Sequence, residues 1–244
     1  MQNHTNDYLL NKRIKIIQPI NGYRASTDAV LLSSMIHKVK KSDTILDVGS
    51  GTGAISLCLA ERFPQTPITG LEIQKTLTDL SNQSAQINNF DNLKFINVDI
   101  KTEAKQIPSV SYTHIITNPP YSEKDMESPN KSKALAHNFE NFSLKNWINF
   151  CIKKLHPQGY FYTINRAEAI TEILSIINGK LGEIKILPLH SKPDQPAKRV
   201  IIIARKDSHA PTQILPPFIT HNNDGSYTAK AHEILRDGKS YFEK

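Results

Sequence analysis

The segment Asp47-Val48-Gly49-Ser50-Gly51-Thr52-Gly53 constrains the fold of this chain more than any other feature of its sequence. Its first two residues complete the mostly apolar run Thr44–Val48, which predicts a buried strand. The segment is followed by Ala54–Arg62, which predicts a helix. Glycines at such a position let the backbone turn tightly and approach a ligand, because they carry no Cβ. A glycine loop between a strand and a helix is typical of nucleotide-cofactor sites.

The same alternation of strand and helix patterns continues to about Lys206 and predicts one α/β sheet. The last two strands are joined by a loop without a helix, so we expect them to be antiparallel. We therefore predict a seven-stranded, mostly parallel sheet with one antiparallel strand, helices on both faces and an active site at the carboxyl ends of the strands. After Thr44–Val48, the predicted strands are Ile68–Glu72, Leu93–Val98, Tyr112–Thr117, Tyr160–Ile164, Glu183–Leu189 and Arg199–Ala204.

A length of 244 residues suits one such domain with short extensions. We place the domain at residues 44–206, with an N-terminal extension at 1–43 and a C-terminal tail at 207–244 that packs on or near it. The tail contains a possible short helix, Lys230–Leu235. The polar, poorly periodic stretch Glu123–Asn138 is predicted to be a loop.

Three carboxylates stand at positions where a strand ends. Glu72 lies 19 residues after Gly53, where a carboxylate can accept hydrogen bonds from both ribose hydroxyls of an adenosine. The loop reads Gly-x-Gly-x-Gly and not the Gly-x-Gly-x-x-Gly of NAD sites, and Asp47 would face a methionine amino group. Asp99, after the third strand, can accept a bond from the adenine amine of the cofactor, or it can serve as a helix N-cap.

The most specific motif is Asn118-Pro119-Pro120-Tyr121, at the end of the fourth strand. The two prolines remove two backbone donors and hold a rigid, extended turn. The Asn118 side-chain oxygen and the Pro119 carbonyl are then two acceptors for one planar NH2 group. Holding both hydrogens out of plane would aim the nitrogen lone pair at a sulfonium methyl, and Tyr121 offers a face for stacking a planar base.

This order of motifs resembles the Rossmann-like class I amino-group methyltransferases over about residues 20–206. The segment Gly22–Leu32 narrows the resemblance to the bacterial valine-tRNA adenine-N6 methyltransferases, in which it helps to close over cofactor and substrate. The resemblance implies S-adenosylmethionine as cofactor and tRNA as partner. It implies the catalytic residues Asn118, Pro119 and Tyr121, and the cofactor residues Thr27, Asp28, Asp47, Gly49, Gly51, Glu72, Asp99 and Asn118.

The net charge agrees with a polyanionic partner, and the composition argues against a membrane protein, a secreted protein and a zinc protein. The net charge is +7, which favours binding to phosphates. The chain lacks a run of about 20 apolar residues and a secretory signal. Cys58 and Cys151 stand apart, outside any zinc-ligand pattern. We expect a monomeric, cytoplasmic enzyme without metal.

Other acceptors share the same chemistry. A protein-glutamine N5 methyltransferase of release factors would present a side-chain amide, but such enzymes usually carry a helical domain for which 46 residues leave little room. An rRNA guanine-N2 methyltransferase often has a duplicated N-terminal half, and a DNA adenine methyltransferase needs extra protein to flip its base. A non-catalytic RNA-binding module on the same fold would have no need of Asn118–Tyr121.

Overall fold

The computed structural model describes residues 4–103, 107, 112–120 and 142–243. Strands and helices alternate along most of this part of the chain. The strands are β1 (His4–Leu9), β2 (Ile14–Pro19), β3 (Ile45–Val48), β4 (Ile68–Glu72), β5 (Leu93–Asn97), β6 (Tyr112–Thr117), β7 (Leu155–Arg166), β8 (Leu181–His190), β9 (Arg199–Lys206), β10 (Gln213–Ile214) and β11 (Phe218–Ile219). The helices are α1 (Thr27–Ser33), α2 (Ala54–Arg62), α3 (Lys75–Ile87), α4 (Leu144–Lys154), α5 (Ile170–Ile177) and α6 (Ala229–Leu235).

The central sheet has the order β10-β8-β9-β7-β6-β3-β4-β5, with β11 also paired to β8. Among the described strands of this central sheet, β9 alone runs against the others, since it pairs antiparallel with both β7 and β8. The prediction of an α/β sheet with one antiparallel strand is confirmed. Seven of its strands are those expected from the sequence, and the two-residue strands β10 and β11 extend the β8 edge.

The strand order reverses direction at β3, and we call the space outside its carboxyl end the crevice. From β3 the chain moves outward to β4 and β5, and it later returns to the other side of β3 with β6 and β7. Helix α2, which follows β3, and α4, the next described helix after β6, pack on opposite faces of the sheet. In doubly wound sheets, ligands bind at such a topological switch point, outside the carboxyl ends of the strands.

Both faces of the sheet are covered by helices, as parallel strands require. One face packs against α1, α2 and α6, and the other packs against α4 and α5. Strand β3 is buried along its whole length. The Ser143 side chain caps α4 by accepting from the Asn146 amide, and Thr228 caps α6 in the same way through the Ala231 amide.

Two parts of the chain differ from the expectation. The N-terminal segment forms the antiparallel hairpin β1–β2, where no strands were predicted. Strand β7 begins at Leu155, whereas the sequence predicted its start at Tyr160. The intervening Pro157-Gln158-Gly159 has a turn-like composition and forms an irregularity inside the strand, because the β6–β7 register shifts between Tyr112 and His114 and Gln158 has a φ of +63°.

Candidate active site

The glycine loop is bonded to the end of β4, and this fixes its path. The amides of Gly49 and Ser50 both donate to the Leu71 carbonyl at 2.9 Å. The Gly51 amide donates to Glu72 Oε2 at 2.9 Å, and Ser81 Oγ donates to the Gly51 carbonyl at 3.1 Å. Gly49 and Gly51 have φ values of +74° and +57°, a region that side-chain-bearing residues rarely adopt. The glycine loop is therefore a tight turn, as the sequence predicted.

Glu72 and Asp47 place two buried carboxylates beside this loop. Glu72 is 6% exposed, and its Oε1 accepts from the Gln74 amide at 2.8 Å while Oε2 accepts from Gly51. Burial raises the pKa of Glu72. Asp47 is fully buried, and its Oδ2 accepts from Ser56 Oγ at 2.7 Å. Burial, with a contribution from the nearby Glu72 charge, raises the pKa of Asp47 to about 7.

The raised pKa of Asp47 predicts a pH-dependent stability. The folded-state pKa lies above the unfolded value, so the stabilisation from this group is complete below about pH 4 and is lost as the pH rises towards and through 7. Between pH 5 and pH 7 the ligand-free protein should lose roughly 2 kcal/mol of unfolding free energy from this group. The loss should be absent in Asp47→Asn. Urea unfolding of both proteins across this range checks it, and parallel pH dependences would contradict it.

Asn118 follows β6 and stands next to the loop. Thr117 Oγ1 donates to the Val48 carbonyl at 2.7 Å, which joins the end of β6 to the end of β3. The Asn118 side-chain oxygen is buried and has no hydrogen-bond partner in the described part of the protein. Pro119 is buried and Pro120 is exposed. Asn118 thus carries an unpaired buried acceptor at the end of β6, beside β3, and its catalytic role stays a prediction.

Trp147 is a site residue that the sequence analysis missed. The indole Nε1 donates to Thr117 Oγ1 at 2.9 Å, and the side chain is 7% exposed. A Cβ built on Gly49 would stand only 2.7 Å from the indole ring. One side chain thus packs against the glycine loop and bonds the residue that precedes Asn118. Its position on a helix with an apolar face reads as ordinary core, and its partners are distant in sequence.

We expect Trp147→Phe to lower kcat more than it lowers cofactor affinity. The variant keeps an aromatic ring against Gly49 but removes the donor to Thr117, at a cost of about 1 kcal/mol in unfolding free energy. A looser Asn118 should reduce kcat by roughly tenfold. Steady-state kinetics beside thermal unfolding by circular dichroism separates the two effects. Wild-type kcat in a folded variant would remove Trp147 from the positioning of Asn118.

The segment before α1 lies along the same edge of the sheet. The Tyr23 ring packs over Gly51, in the space that a Cβ there would need. Tyr23 is 46% exposed, and the desolvation of its loop-facing side, with the nearby charges of Asp47, Glu72 and Asp28, raises its pKa. Asp28 Oδ2 accepts from Arg199 Nε at 3.2 Å, which ties α1 to the start of β9. Tyr23 was another residue that the sequence did not single out.

The contacts of the other predicted site residues say less about the site. Thr27 is exposed at the start of α1 and lines an open groove. Asp99 caps a turn after β5, where its Oδ1 accepts from the Lys101 amide at 2.8 Å and its carbonyl accepts from Glu103. Residues 100–102 form a turn and not a helix, so Asp99 caps a turn where a helix N-cap was the alternative, and the adenine contact stays a prediction. Tyr121 and the loop Glu123–Asn138 lie outside the described residues.

The described residues offer neither a metal-binding cluster nor a membrane-spanning helix. Within the described ranges, no group of three or more His, Cys, Asp or Glu side chains is arranged to hold a metal ion. No helix in that same part of the chain has the length and apolarity needed to cross a membrane. Cys58 and Cys151 are both buried thiols.

The sequence of this chain matches a family model and relatives of known name. Residues 25–172 match the family model described as methyltransferase small domain. The chain is 29% identical over 195 residues to a tRNA1(Val) (adenine(37)-N6)-methyltransferase of Pedobacter heparinus, covering 78% of this chain and 81% of the relative. The enzyme of the same name from Shewanella baltica is 29% identical over 227 residues, covering 88% and 92%.

Solved structures share the fold at lower identity. A predicted O-methyltransferase from Agrobacterium tumefaciens superposes with a TM-score of 0.73 at 20% identity, covering 88% of this chain and 98% of the other. The Thermus thermophilus 16S rRNA N2 G1207 methyltransferase, in complex with AdoMet and guanosine, gives a TM-score of 0.59 at 15% identity. That match covers 83% of this chain and 50% of the other.

Proposed function

The chain belongs to the methyltransferase small domain family, and from this premise we propose that it transfers a methyl group from S-adenosylmethionine to the N6 amine of an adenine in RNA. The favoured target is an adenine in the anticodon loop of a tRNA. The proposal rests on the site for its chemistry and on the relatives for its substrate.

The observation that carries the chemistry is the Asn118 oxygen. A buried acceptor without a donor costs about 1–3 kcal/mol, so the unpaired Asn118 oxygen calls for an explanation, and a ligand that supplies the donor is one. Thr117 and Trp147 hold this position against the glycine loop. A donor that enters here therefore meets Asn118 beside the loop that is expected to bind the cofactor.

An amino group on a conjugated ring is the donor that fits. Asn118 Oδ1 would accept one hydrogen and the Pro119 carbonyl the other, because both are acceptors only. When both hydrogens are held away from the ring plane, the nitrogen lone pair leaves the ring conjugation and becomes nucleophilic. The nitrogen becomes acidic as its new bond forms, so the attack needs no general base from the protein.

The residues of the crevice fit S-adenosylmethionine, which supplies an electrophilic methyl on a sulfonium. Asp47 Oδ1 is a second buried acceptor without a partner in the described part of the chain, and it suits the methionine ammonium. Each Glu72 oxygen already accepts one amide and retains a second lone pair for a ribose hydroxyl. The Ser50 and Thr52 hydroxyls of the loop are likewise buried without partners.

The relatives favour adenine in tRNA over other amines. The enzymes from Pedobacter heparinus and Shewanella baltica are named for this substrate and match along most of their length. A net charge of +7 is consistent with a polyanionic substrate. An unpaired anticodon-loop base also costs little to extrude, which suits a compact enzyme.

A parallel transfer assay tests the proposal. Purified protein and tritiated S-adenosylmethionine are offered unmodified tRNA, rRNA, DNA and a release factor in separate reactions. We expect label in tRNA, with the other acceptors at background. Label on the release factor would make the protein a glutamine methyltransferase, and label in rRNA or DNA would overturn the assignment to tRNA.

A further inference from the structure

An open groove runs beside α1 from the active-site edge, where Ser26 and Thr27 line it. We name it the hairpin groove, because the β1–β2 hairpin forms one wall and the end of α6 with its preceding loop forms the other. Its volume is 430 Å³, within the range of about 300–1,000 Å³ that small-molecule sites occupy. The groove residues used below are Tyr8, Lys12, Ser26, Thr27, Tyr227 and Arg236.

The groove is continuous with the active-site edge. Ser26 and Thr27 line one end of it, and they stand between Tyr23, which covers Gly51, and Asp28, which bonds Arg199. Helix α1 then runs to the opposite edge of the sheet, where the Ser33 carbonyl accepts from Arg62. A chain of nucleotides that leaves the crevice over Thr27 would therefore enter the groove.

The chemistry of the lining suits a nucleotide. Tyr8 lies on the hairpin with 51% of its surface exposed, and it offers a ring on which a base can stack. Lys12 and Arg236 are exposed cations, and no Asp or Glu is among the described residues that line the groove. The adjoining Asp237 is engaged by Asn11 at 3.4 Å and by His232 at 3.5 Å.

Arg236 is held in place by its neighbour. Its guanidinium lies 5.7 Å from the Tyr227 ring centroid, a cation–π contact, and Tyr227 in turn stacks on His221 with centroids 5.0 Å apart. A guanidinium fixed in this way presents its remaining donors to a phosphate with little further loss of freedom. The groove thus combines an aromatic platform with a fixed cation, as single-stranded nucleic acid sites do.

We propose that the hairpin groove binds an RNA nucleotide that flanks the target adenine, with the base on Tyr8 and the phosphate at Lys12 and Arg236. This rests on the proposed function, since it needs an RNA substrate. The groove extends the substrate surface beyond the crevice, so it sets RNA affinity and leaves the methyl-transfer step to Asn118.

Filter binding of an unmodified tRNA transcript at several salt concentrations tests the charges. Lys12→Gln with Arg236→Gln should reduce the slope of log K against log salt by about 0.7 to 0.9 for each cation removed. The control Lys41→Gln with Lys94→Gln removes two exposed lysines outside the groove and should leave the slope unchanged. Equal slopes for the groove variant and the control would overturn the proposal.

Tyr8 gives a second, independent test. Tyr8→Ala should weaken RNA binding roughly tenfold, and Tyr8→Phe should restore it, because phenylalanine keeps the stacking face. The kcat at saturating RNA should stay at the wild-type value in all these variants. Weaker binding in Tyr8→Phe as well, or a lower kcat with unchanged affinity, would overturn the groove. Binding is titrated without turnover, so it tests the groove independently of methylation. RNA that binds but is not methylated would contradict the proposed function, and the binding data would still show whether the groove residues contact RNA.

Discussion

Asn118→Ala will lower kcat by roughly a hundredfold to a thousandfold and leave the affinity for S-adenosylmethionine close to that of the wild type. The loss follows because the variant removes an acceptor that acts on the amine as it becomes nucleophilic. Folding should not suffer, since the Asn118 oxygen is a buried acceptor without a partner in the described structure. Single-turnover kinetics and calorimetric titration of the cofactor measure the two quantities.

Thr163→Val is the matched control for that experiment. Thr163 Oγ1 is also buried without a partner in the described residues, and Thr163 pairs with Thr117 across β6 and β7. The control variant therefore removes a similar orphan oxygen close to the site but outside the proposed amine contact. It should keep kcat within a few-fold of the wild type. An active Asn118→Ala protein would show that the two-acceptor mechanism is wrong.

Asp47→Ala will weaken S-adenosylmethionine binding by roughly tenfold to a hundredfold. A charge-assisted hydrogen bond to an ammonium is worth about 1.5–3 kcal/mol, and Asp47 Oδ1 has no partner in the described part of the protein. The effect should appear in the dissociation constant, whereas kcat at saturating cofactor should change little. Isothermal titration calorimetry measures the affinity directly.

Two further variants make the Asp47 result specific. Asp47→Asn keeps the shape and the bond with Ser56 but removes the charge, so it should also bind the cofactor weakly. Asp79→Ala removes an exposed carboxylate that pairs with Lys75 on α3, and it should bind like the wild type. An unchanged dissociation constant in both Asp47 variants would remove this residue from the cofactor site.

The sequence predicted the central sheet because its pattern is local. Runs such as Ile45–Val48 are apolar except for Asp47, as suits strands buried on both faces, and glycine or proline follows several of them. The positions of Asp47, Glu72 and Asn118 at the crevice follow from the same pattern, since parallel strands bring their carboxyl ends to one edge. Asn118 could thus be proposed for the site from the sequence pattern.

The sequence did not predict the contacts that join distant segments. Trp147 reads as a core residue of a helix, and nothing near it in the sequence indicates Gly49 or Thr117 as its neighbours. The bond of Ile17 to Ser84 that seats β2 on α3 is equally non-local. Hairpin strands that are half exposed, as β1 is, give a weak alternation signal.

The glycine loop also makes contacts within the protein that the sequence did not indicate. Its glycines were expected to admit a ligand, and the structure brings protein rings to two of them, Trp147 on Gly49 and Tyr23 on Gly51. Glycine is thus needed here for close packing of protein against protein as well as for backbone conformation. Such a requirement cannot be separated from ligand approach until the packing is known.

The central claim is that this site methylates the exocyclic amine of adenine. The most direct measurement is mass spectrometry of nucleosides from tRNA treated with the wild-type protein or with Asn118→Ala. We expect N6-methyladenosine after wild-type treatment and almost none after treatment with the variant. A ring-methylated adenosine or a methylated guanosine as the wild-type product would contradict it.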